Sequence, residues 1–416
     1  MREMKDSGIE WIGSIPKKWN LTPIGMLYSL RNTKVSDRDY MPLSVTKKGV
    51  LQQLENVAKS NAHDDRKLVK KGDFVINSRS DRRGSCGISR YDGSVSLINT
   101  VLIPRNEMHS GYYDWLFHTI QFADEFYKNG HGIVDDLWTT GWQEMKKILL
   151  PIPAYSEQQS IANFLDNKCS ELDALMADIE AEISTLEEYK KSKITEAVTK
   201  GLNPNVEMKD SGVEWIGEIP KGWKVHPVYN YFVEGKSSNY RIQEQNLLSL
   251  SYGKIIKKDI NTNGGLLPMS FNTYNIVDAG DIIIRPTDLQ NDKRSLRTGL
   301  VGQKGIITSA YIDLKPKKGI NSKYYHYLLH SYDISKVFYN MGNGVRQGLN
   351  YSEFAKLLLL EPPVEEQKQI VDFLDTKCSE IDFIISDKKQ QLEVLAEYKK
   401  SLIYEYVTGK KEVPHE

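Results

Sequence analysis

One segment occurs twice in the chain, without Gly or Pro before its end, and carries a narrow apolar stripe. The first copy runs from Glu157 to Lys200 and the second from Glu366 to Lys410, with matched positions separated by 209 residues. Apolar residues recur at alternating steps of four and three, the spacing that is typical of a coiled-coil seam. About 40 residues at ~1.5 Å per residue make a helix on the order of 60 Å long. The sequence therefore predicts two long helices.

A narrow stripe on a long helix needs a partner stripe, and the nearest candidate for each copy is the other copy. We therefore predict that the two helices pair through a coiled-coil interface. The predicted interface residues are Leu172, Met176, Ile179, Ile183 and Leu186 in the first copy and Ile381, Ile385, Leu392 and Leu395 in the second. Lys388 occupies one position of the second stripe, where the first copy has Ile179.

A second duplication lies ahead of each predicted body. Residues 4–19 and 208–223 are identical at 13 of 16 positions, with an offset of 204 residues. A period near 200 residues is too long for a solenoid repeat and indicates a duplicated domain. The predicted parts are a first body with its proximal motif (1–155), a helix (156–203), a second body with its motif (204–363) and a final helix (364–416).

The two bodies have mixed secondary structure in their sequence patterns. Residues 73–76 and 95–98 are short β-type runs, and residues 112–127 have helical spacing. Gly280–Ile284 in the second body corresponds to Gly72–Ile76 in the first. The predicted fold class is α+β, with the long helices outside the bodies. The tryptophans of the proximal motifs are expected to anchor the start of each half; they are Trp11, Trp19, Trp215 and Trp223.

The formal net charge is zero, but its distribution follows the repeats. The two bodies carry +4 and +5, and the two helical segments carry −5 and −4. A mild basic excess is weak support for nucleic-acid binding by itself. No apolar run approaches the ~18 residues of a membrane span. The three cysteines have no metal or redox spacing, so we expect a cytoplasmic protein.

Searches for catalytic motifs give no match in this sequence. His326 and His330 have the spacing of a zinc-protease helix, but position 327 is Tyr where that motif needs Glu. Gly235–Ser237 resembles the end of a phosphate-binding loop, but position 230 is Asn where an earlier Gly is needed. The sequence therefore predicts neither a catalytic residue nor a metal site.

Basic residues do cluster in the Gly-containing loops of both bodies. Arginine can grip phosphates or read guanine, and glutamine can read adenine. These residues are the candidate DNA contacts: Arg79, Arg82, Arg83 and Arg90 in the first body, and Arg285, Lys293, Arg294, Arg297, Arg346 and Gln347 in the second. They are inferred from composition and loop placement, with solvated surface charge as the alternative reading of each one.

The layout resembles the specificity subunit of type I restriction-modification systems over essentially the whole chain. The most specific segments are Asp6–Gly13 with its copy at 210–217, and Glu157–Asp166 with its copy at 366–375. The resemblance implies two target-recognition domains that each read one half of a split DNA target, in a pseudo-two-fold arrangement. It implies that two long antiparallel helices hold these domains apart and dock two modification subunits. The restriction subunits join that complex, and S-adenosylmethionine and ATP are used by the partners, so that this chain needs no cofactor.

Lys388 departs from an uninterrupted apolar stripe. It either fixes the register of the helices or packs its aliphatic stem while its charged end reaches solvent. Two other functional readings stay open at this point: a self-contained DNA methyltransferase or nuclease with unrecognised motifs, and a coiled-coil scaffold without a DNA role. Methyl transfer by the purified chain alone would favour the first, and sequence-selective DNA retention would exclude the second.

Overall fold

The chain folds into two compact units whose boundaries fall within the long helices. The computed structural model describes residues 2–53, 64–132, 138–241, 243–260, 270–287, 289, 296–341 and 348–414. Residues 1–180 and 389–416 form the first unit, and residues 181–388 form the second. Each unit thus combines one body with segments of both long helices. The division into four parts at residues 155, 203 and 363 stays a prediction.

The first unit is built on short antiparallel strands. Its strands are β1 (Met4–Asp6), β2 (Ser14–Pro16), β3 (Asn20–Pro23), β4 (Tyr28–Arg31), β5 (Lys34–Val35), β6 (Leu43–Thr46), β7 (Gly49–Gln52), β8 (Arg66–Val69), β9 (Phe74–Asn77), β10 (Cys86–Ile88), β11 (Gly93–Ser96), β12 (Asn99–Pro104) and β13 (Leu149–Ile152). The main sheet has the order β10-β9-β12-β4, and a second sheet has the order β11-β8-β5. The expected strand at 73–76 is confirmed as β9, whereas the one at 95–98 ends at Ser96.

Aromatic packing holds the helices of the first unit on its main sheet. The helices are α1 (Ile24–Leu27), α2 (Ser110–Phe117), α3 (Ile120–Lys128), α4 (Trp142–Met145) and the start of α5 (Tyr155–Lys200). Phe74 of β9 stacks on Phe117 of α2 with ring centroids 4.0 Å apart. The single helix expected over 112–127 is wrong, because Thr119 begins a new helix. Its side chain accepts a hydrogen bond from the backbone N–H of Phe122 at 3.2 Å, as an N-cap does.

The second unit repeats this plan with different side chains. Its strands are β14 (Met208–Asp210), β15 (Glu218–Pro220), β16 (Lys224–Pro227), β17 (Phe232–Glu234), β18 (Leu248–Ser251), β19 (Lys254–Lys257), β20 (Asn275–Val277), β21 (Ile282–Ile284), β22 (Thr298–Leu300), β23 (Gly305–Ile307), β24 (Ile312–Pro316) and β25 (Leu358–Glu361), and its helices are α6 (Ser322–Ile334), α7 (Tyr351–Phe354) and the start of α8 (Val364–Val407). The main sheet, β17-β24-β21-β22, corresponds to β4-β12-β9-β10 of the first unit. Both units are therefore mixed α+β structures, as expected.

The proximal motifs form equivalent hairpins, β1–β2 and β14–β15. Trp11, Trp19 and Trp223 are buried, with 8%, 2% and 1% of their surfaces exposed. Trp215 is 49% exposed, so its expected burial is wrong. Three of the four tryptophans therefore anchor their halves by burial.

The two long helices, α5 and α8, contain 46 and 44 residues. In the first unit, Phe164 lies against Tyr406 with ring centroids 4.5 Å apart, and Asp173 pairs with Lys399 at 2.5 Å. In the second unit, Glu182 pairs with Lys388, and Lys190 pairs with Asp382 at 2.6 Å. Partner numbers fall on α8 as they rise on α5, so the helices run antiparallel within each unit. In the described part of the chain, no helix is long and apolar enough to cross a membrane.

Candidate DNA interface

Three of the candidate arginines of the first unit lie around one loop, between β9 and β10. Arg79 forms an isolated β-bridge with Thr139, which also bridges His131, so the Gly130–Gly132 loop lies beside it. Arg82 ends a short 3-10 turn, and its side chain is 66% exposed. Among the described residues, the ion pair of Arg82 is a loose one with Asp81, at 3.5 Å. Its charge is therefore available to a partner.

Arg83 and Arg90 are placed differently from Arg82. The guanidinium of Arg83 pairs with Asp124 and lies 5.5 Å from the ring centroid of Tyr127, so part of its charge is already compensated. Arg90 is exposed but follows β10, whereas the other three precede it. A strand of three or four residues spans ~10–13 Å, so Arg90 lies at the opposite end of the β9–β10 hairpin. The structure separates Arg90 from the other three.

A polar groove opens beside Arg82. It has a volume of about 630 Å³, and its lining includes Thr46, Lys47, Asn77, Arg82 and Asn99. The side-chain carbonyl of Asn99 is buried and has no hydrogen-bond partner within the described ranges of the chain. Such an acceptor, beside two exposed cationic side chains, suits a hydrated polar ligand such as the edge of a nucleic acid.

Arg297 is not a surface contact, and the expectation that it touches DNA is wrong in this structure. The residue is completely buried. Its backbone N–H donates to the carboxylate of Asp333, Nε donates to the hydroxyl of Tyr339 at 3.1 Å, and NH1 donates to the carbonyl of Thr287 at 2.5 Å. A buried guanidinium is stable only when it is compensated in this way, so Arg297 is a structural residue.

Arg285 is half-buried, and its backbone N–H donates to the carbonyl of Arg297 at 2.8 Å. The remaining candidates of the second unit, Lys293, Arg294, Arg346 and Gln347, lie outside the described residues. Their contact with DNA stays a prediction.

A second group of cationic residues, which was not predicted from the sequence, lies on hairpins of both units. Lys47 and Lys48 form the turn of β6–β7, and Lys254, Lys257 and Lys258 lie on or just after β19 of β18–β19. All five are exposed. In the sequence, each hairpin is visible as two short runs of apolar and polar residues around a turn. These runs were overlooked because they lack the clustered arginines that drew attention to the other loops.

The predicted seam positions of the long helices are all withdrawn from solvent. Ile179, Ile183, Ile381 and Ile385 are buried, and Leu172, Met176, Leu186, Leu392 and Leu395 are half-buried. Lys388 is half-buried too, with its ammonium paired to Glu182. The aliphatic stem of Lys388 therefore packs in the helix interface, and its ammonium is paired at the edge of that interface.

Two titratable groups of the second unit depart from their ordinary behaviour. Burial raises the pKa of Asp313 to about 7, and nearby Asp281 raises it further. Burial lowers the pKa of His326 to about 3, so its ring is neutral. Among the described residues, no group of three or more His, Cys, Asp or Glu side chains could hold a metal ion. These groups indicate core packing of the unit.

The chain is similar to known proteins along nearly all of its length. Residues 229–394 match the family model described as the type I restriction modification DNA specificity domain. A type I restriction enzyme specificity subunit of Methanocaldococcus jannaschii, MjaX, is 25% identical, with 96% of this chain and 95% of that protein covered. A second one from the same organism, MjaVIII, is 26% identical, with 82% and 80% covered.

Solved structures share the fold. One, from work on complex assembly and conformational transition of a type I restriction-modification system, has a TM-score of 0.70 at 12% identity and covers 95% of this chain and 99% of its own. The HsdS subunit of Thermoanaerobacter tengcongensis has a TM-score of 0.52 at 14% identity and covers 95% and 98%. The matched domain and the curated relatives make this chain similar to HsdS-like specificity subunits of type I restriction-modification systems, and the solved structures show that it shares their fold.

Proposed function

We propose that this chain selects the DNA sequence on which a type I restriction-modification complex acts, with each unit reading one half of a bipartite target. The observation that carries the proposal is that equivalent scaffold contacts recur in units whose loops differ. Trp19 donates its indole N–H to Glu157 at 2.8 Å, and Trp223 donates to Glu366 at 3.0 Å. Two equal scaffolds with unequal surfaces suit the reading of two different half-sites.

The long helices are proposed to set the spacing between the half-sites. Asp173–Lys399 in the first unit and Asp382–Lys190 in the second are the same pair in the two copies, because each partner is shifted by 209 residues. Repeated pairs of this kind fix the axial register of antiparallel helices. A fixed register gives a fixed separation, so the length of the DNA spacer would be selected and its sequence would not.

The same helices are proposed to dock two modification subunits. Leu175 and Ile384 are equivalent positions that are 47% and 42% exposed, and Tyr189 and Tyr398 are equivalent positions that are 42% and 50% exposed. Each unit contributes one residue of each pair. Exposed apolar side chains that recur in both copies suit a partner that is bound twice.

The remaining functional assignments follow from this role. We propose that restriction subunits join the complex, that S-adenosylmethionine and ATP are used by the partner subunits, and that the system acts in the cytoplasm in phage defence. The three cysteines are free and buried, which agrees with a reducing compartment.

The methylation pattern of DNA from cells that carry the complete system tests the proposal. We expect a methylated site of two short sequences separated by a spacer of constant length and variable sequence. Deletion of the gene for this chain should abolish that methylation. A single continuous methylated motif, or methylation that persists after the deletion, would contradict the proposal.

A further inference from the structure

We propose that one β-hairpin in each unit, β6–β7 in the first and β18–β19 in the second, enters a groove of the DNA and reads its half-site. This inference rests on the proposed DNA-reading function and names the elements that perform it. It assigns DNA contact to residues outside the arginine-rich loops.

In both units, the hairpin packs over a glycine at an equivalent position of the neighbouring strand. A Cβ added to Gly87 of β10 would lie 2.8 Å from the Cα of Gly49 in β7, so this hairpin rests directly on backbone. A Cβ added to Gly299 of β22 would lie 2.6 Å from the side-chain Cδ1 of Leu250 in β18. Each hairpin therefore packs closely over a glycine at the equivalent place, against backbone in the first unit and against a side chain in the second.

A second glycine supports each hairpin from the neighbouring strand. Added Cβ atoms would lie 2.5 Å from the carbonyl of Met41 at Gly93 in β11, and 2.5 Å from the carbonyl of Asn246 at Gly305 in β23. Gly93 and Gly305 are 212 residues apart, as Gly87 and Gly299 are. The supporting geometry has thus been kept in both units, which indicates that the hairpin position matters.

The hairpin tips, in contrast, have different chemistry. The first turn is Lys47-Lys48, followed by Gly49 with φ of 102°. The second turn is Tyr252-Gly253, with φ of 45° and 79°. A positive φ is unfavourable for an aromatic residue, yet the Tyr252 side chain is 80% exposed. Equivalent packing of the two hairpins, combined with different turn residues, is the pattern expected of an element that reads DNA sequence.

Exposed lysines occur on both hairpins: Lys47 and Lys48 form the first tip, Lys254 lies next to the second turn, and Lys257 and Lys258 lie at the base of the second hairpin. No ion pair is found for Lys47 or Lys48, nor for Lys254, Lys257 or Lys258, within the described part of the chain. In the first unit, Thr46 and Lys47 also line the polar groove that contains Arg82. Exposed lysines along a hairpin are suited to phosphates on either side of a groove.

The dimensions of the element fit the ligand. The major groove of B-DNA accepts an α-helix or a two-stranded β-ribbon, and several DNA-binding proteins use such a ribbon. Leu43 and Val50 of the first hairpin are buried in a small core cluster with Val75 and Val101, which fixes the ribbon to the main sheet. The tip is thereby held in place while its turn residues remain exposed.

The test uses the full chain assembled with its modification subunits and a randomised DNA duplex library. The variants are Lys47→Ala with Lys48→Ala in the first unit, Lys254→Ala with Lys257→Ala in the second, and Tyr252→Asn, because Asn tolerates positive φ. The matched control is Lys71→Ala with Lys147→Ala, which removes two other exposed lysines from the first unit. Thermal unfolding of each variant verifies its fold.

We expect each of the two double lysine variants to bind its selected DNA at least about tenfold more weakly than the wild type. Each should also lower the slope of log affinity against log salt by about 2, whereas the control should change neither quantity. Tyr252→Asn should alter base preference in one half-site only. If all three hairpin variants bound DNA with the affinity and base preference of the wild type, the hairpin assignment would be overturned and the proposed function would stay intact. Failure of the wild-type complex to select any sequence would overturn both.

Discussion

The indole N–H of Trp19 donates a hydrogen bond to the carboxylate of Glu157, across 138 residues of sequence. Glu157 also pairs with Arg2, so the proximal motif and the start of α5 are held by one carboxylate. The equivalent bond joins Trp223 to Glu366 in the second unit. The duplicated motif thus joins each body to its long helix.

Replacement of Trp19 by Phe should destabilise the first unit by about 1 kcal/mol, because it removes one hydrogen bond to a charged acceptor and keeps most of the buried ring. The measurement is urea-induced unfolding of the purified complex. The control is Trp215→Phe, whose side chain is 49% exposed and should cost less than ~0.5 kcal/mol. Equal stability of Trp19→Phe and the wild type would contradict the anchoring role.

Lys388 should stabilise the helix pair mainly through its aliphatic stem. Lys388→Ala removes the stem and should cost about 1 kcal/mol. Lys388→Ile, which places the residue of the first copy in the second, should be neutral or stabilising by up to ~1 kcal/mol. Glu182→Gln removes only a charge from an exposed pair and should cost less than ~0.5 kcal/mol. Chemical unfolding checks this order, and a larger cost for Glu182→Gln than for Lys388→Ala would reverse the assignment.

The second unit should lose stability as the pH rises from about 4 towards 7. Asp313 is 1% exposed, neither of its carboxyl oxygens has a hydrogen-bond partner among the residues that the structure describes, and burial raises its pKa to about 7. The folded state holds the proton more tightly than the unfolded state, so the free energy of unfolding falls between the two pKa values and levels off above the higher one. Asp281 adds to the effect in the same direction, and Lys315, which pairs with Asp278 and Asp281, opposes it.

Asp313→Asn should therefore stabilise the unit at pH 8 by up to about 4 kcal/mol and flatten the pH profile. Urea unfolding across the pH range measures this, with Asp372→Asn as the control because Asp372 is exposed on α8 and is not part of this charge network. A variant profile that keeps the slope of the wild type would mean that another group is responsible.

Arg82 and Arg83 should contribute unequally to DNA affinity. Replacement of both by Ala is expected to weaken binding and to flatten its dependence on salt, because each lost phosphate contact lowers the slope by about 0.9. Arg82→Ala alone should account for most of the change, since Arg83 already pairs with Asp124. Arg90→Ala, at the other end of the hairpin, is the control. Affinity that is unchanged across a salt series would remove Arg82 from the interface.

The sequence was most informative where it repeats. The long helices, their pairing and the mixed bodies could be predicted, because periodic apolar positions and internal duplication are local signals. The antiparallel direction of the pairing was implied only by the family resemblance. The break at Thr119 was missed because this residue keeps the helical spacing of the apolar face, so that its role as a cap left no mark in the pattern.

The candidate site was harder to predict, because exposure depends on contacts that are distant in sequence. Arg297 resembles its neighbours in sequence, but Asp333 and Tyr339 from a later segment enclose it. The hairpin lysines were overlooked for the opposite reason. The hairpins that carry them pack over Gly87 and Gly299, which lie more than 30 residues away in sequence.

The paired helices are proposed to fix the distance between the two half-sites. One heptad inserted after Glu180 in α5 and one after Lys389 in α8 keeps the apolar stripe in phase and lengthens both helices by ~10 Å. Because base pairs are spaced by ~3.4 Å, selection from a randomised duplex library should yield the same two half-sites with a spacer about three base pairs longer. Recovery of the original spacer by the lengthened protein would contradict the account.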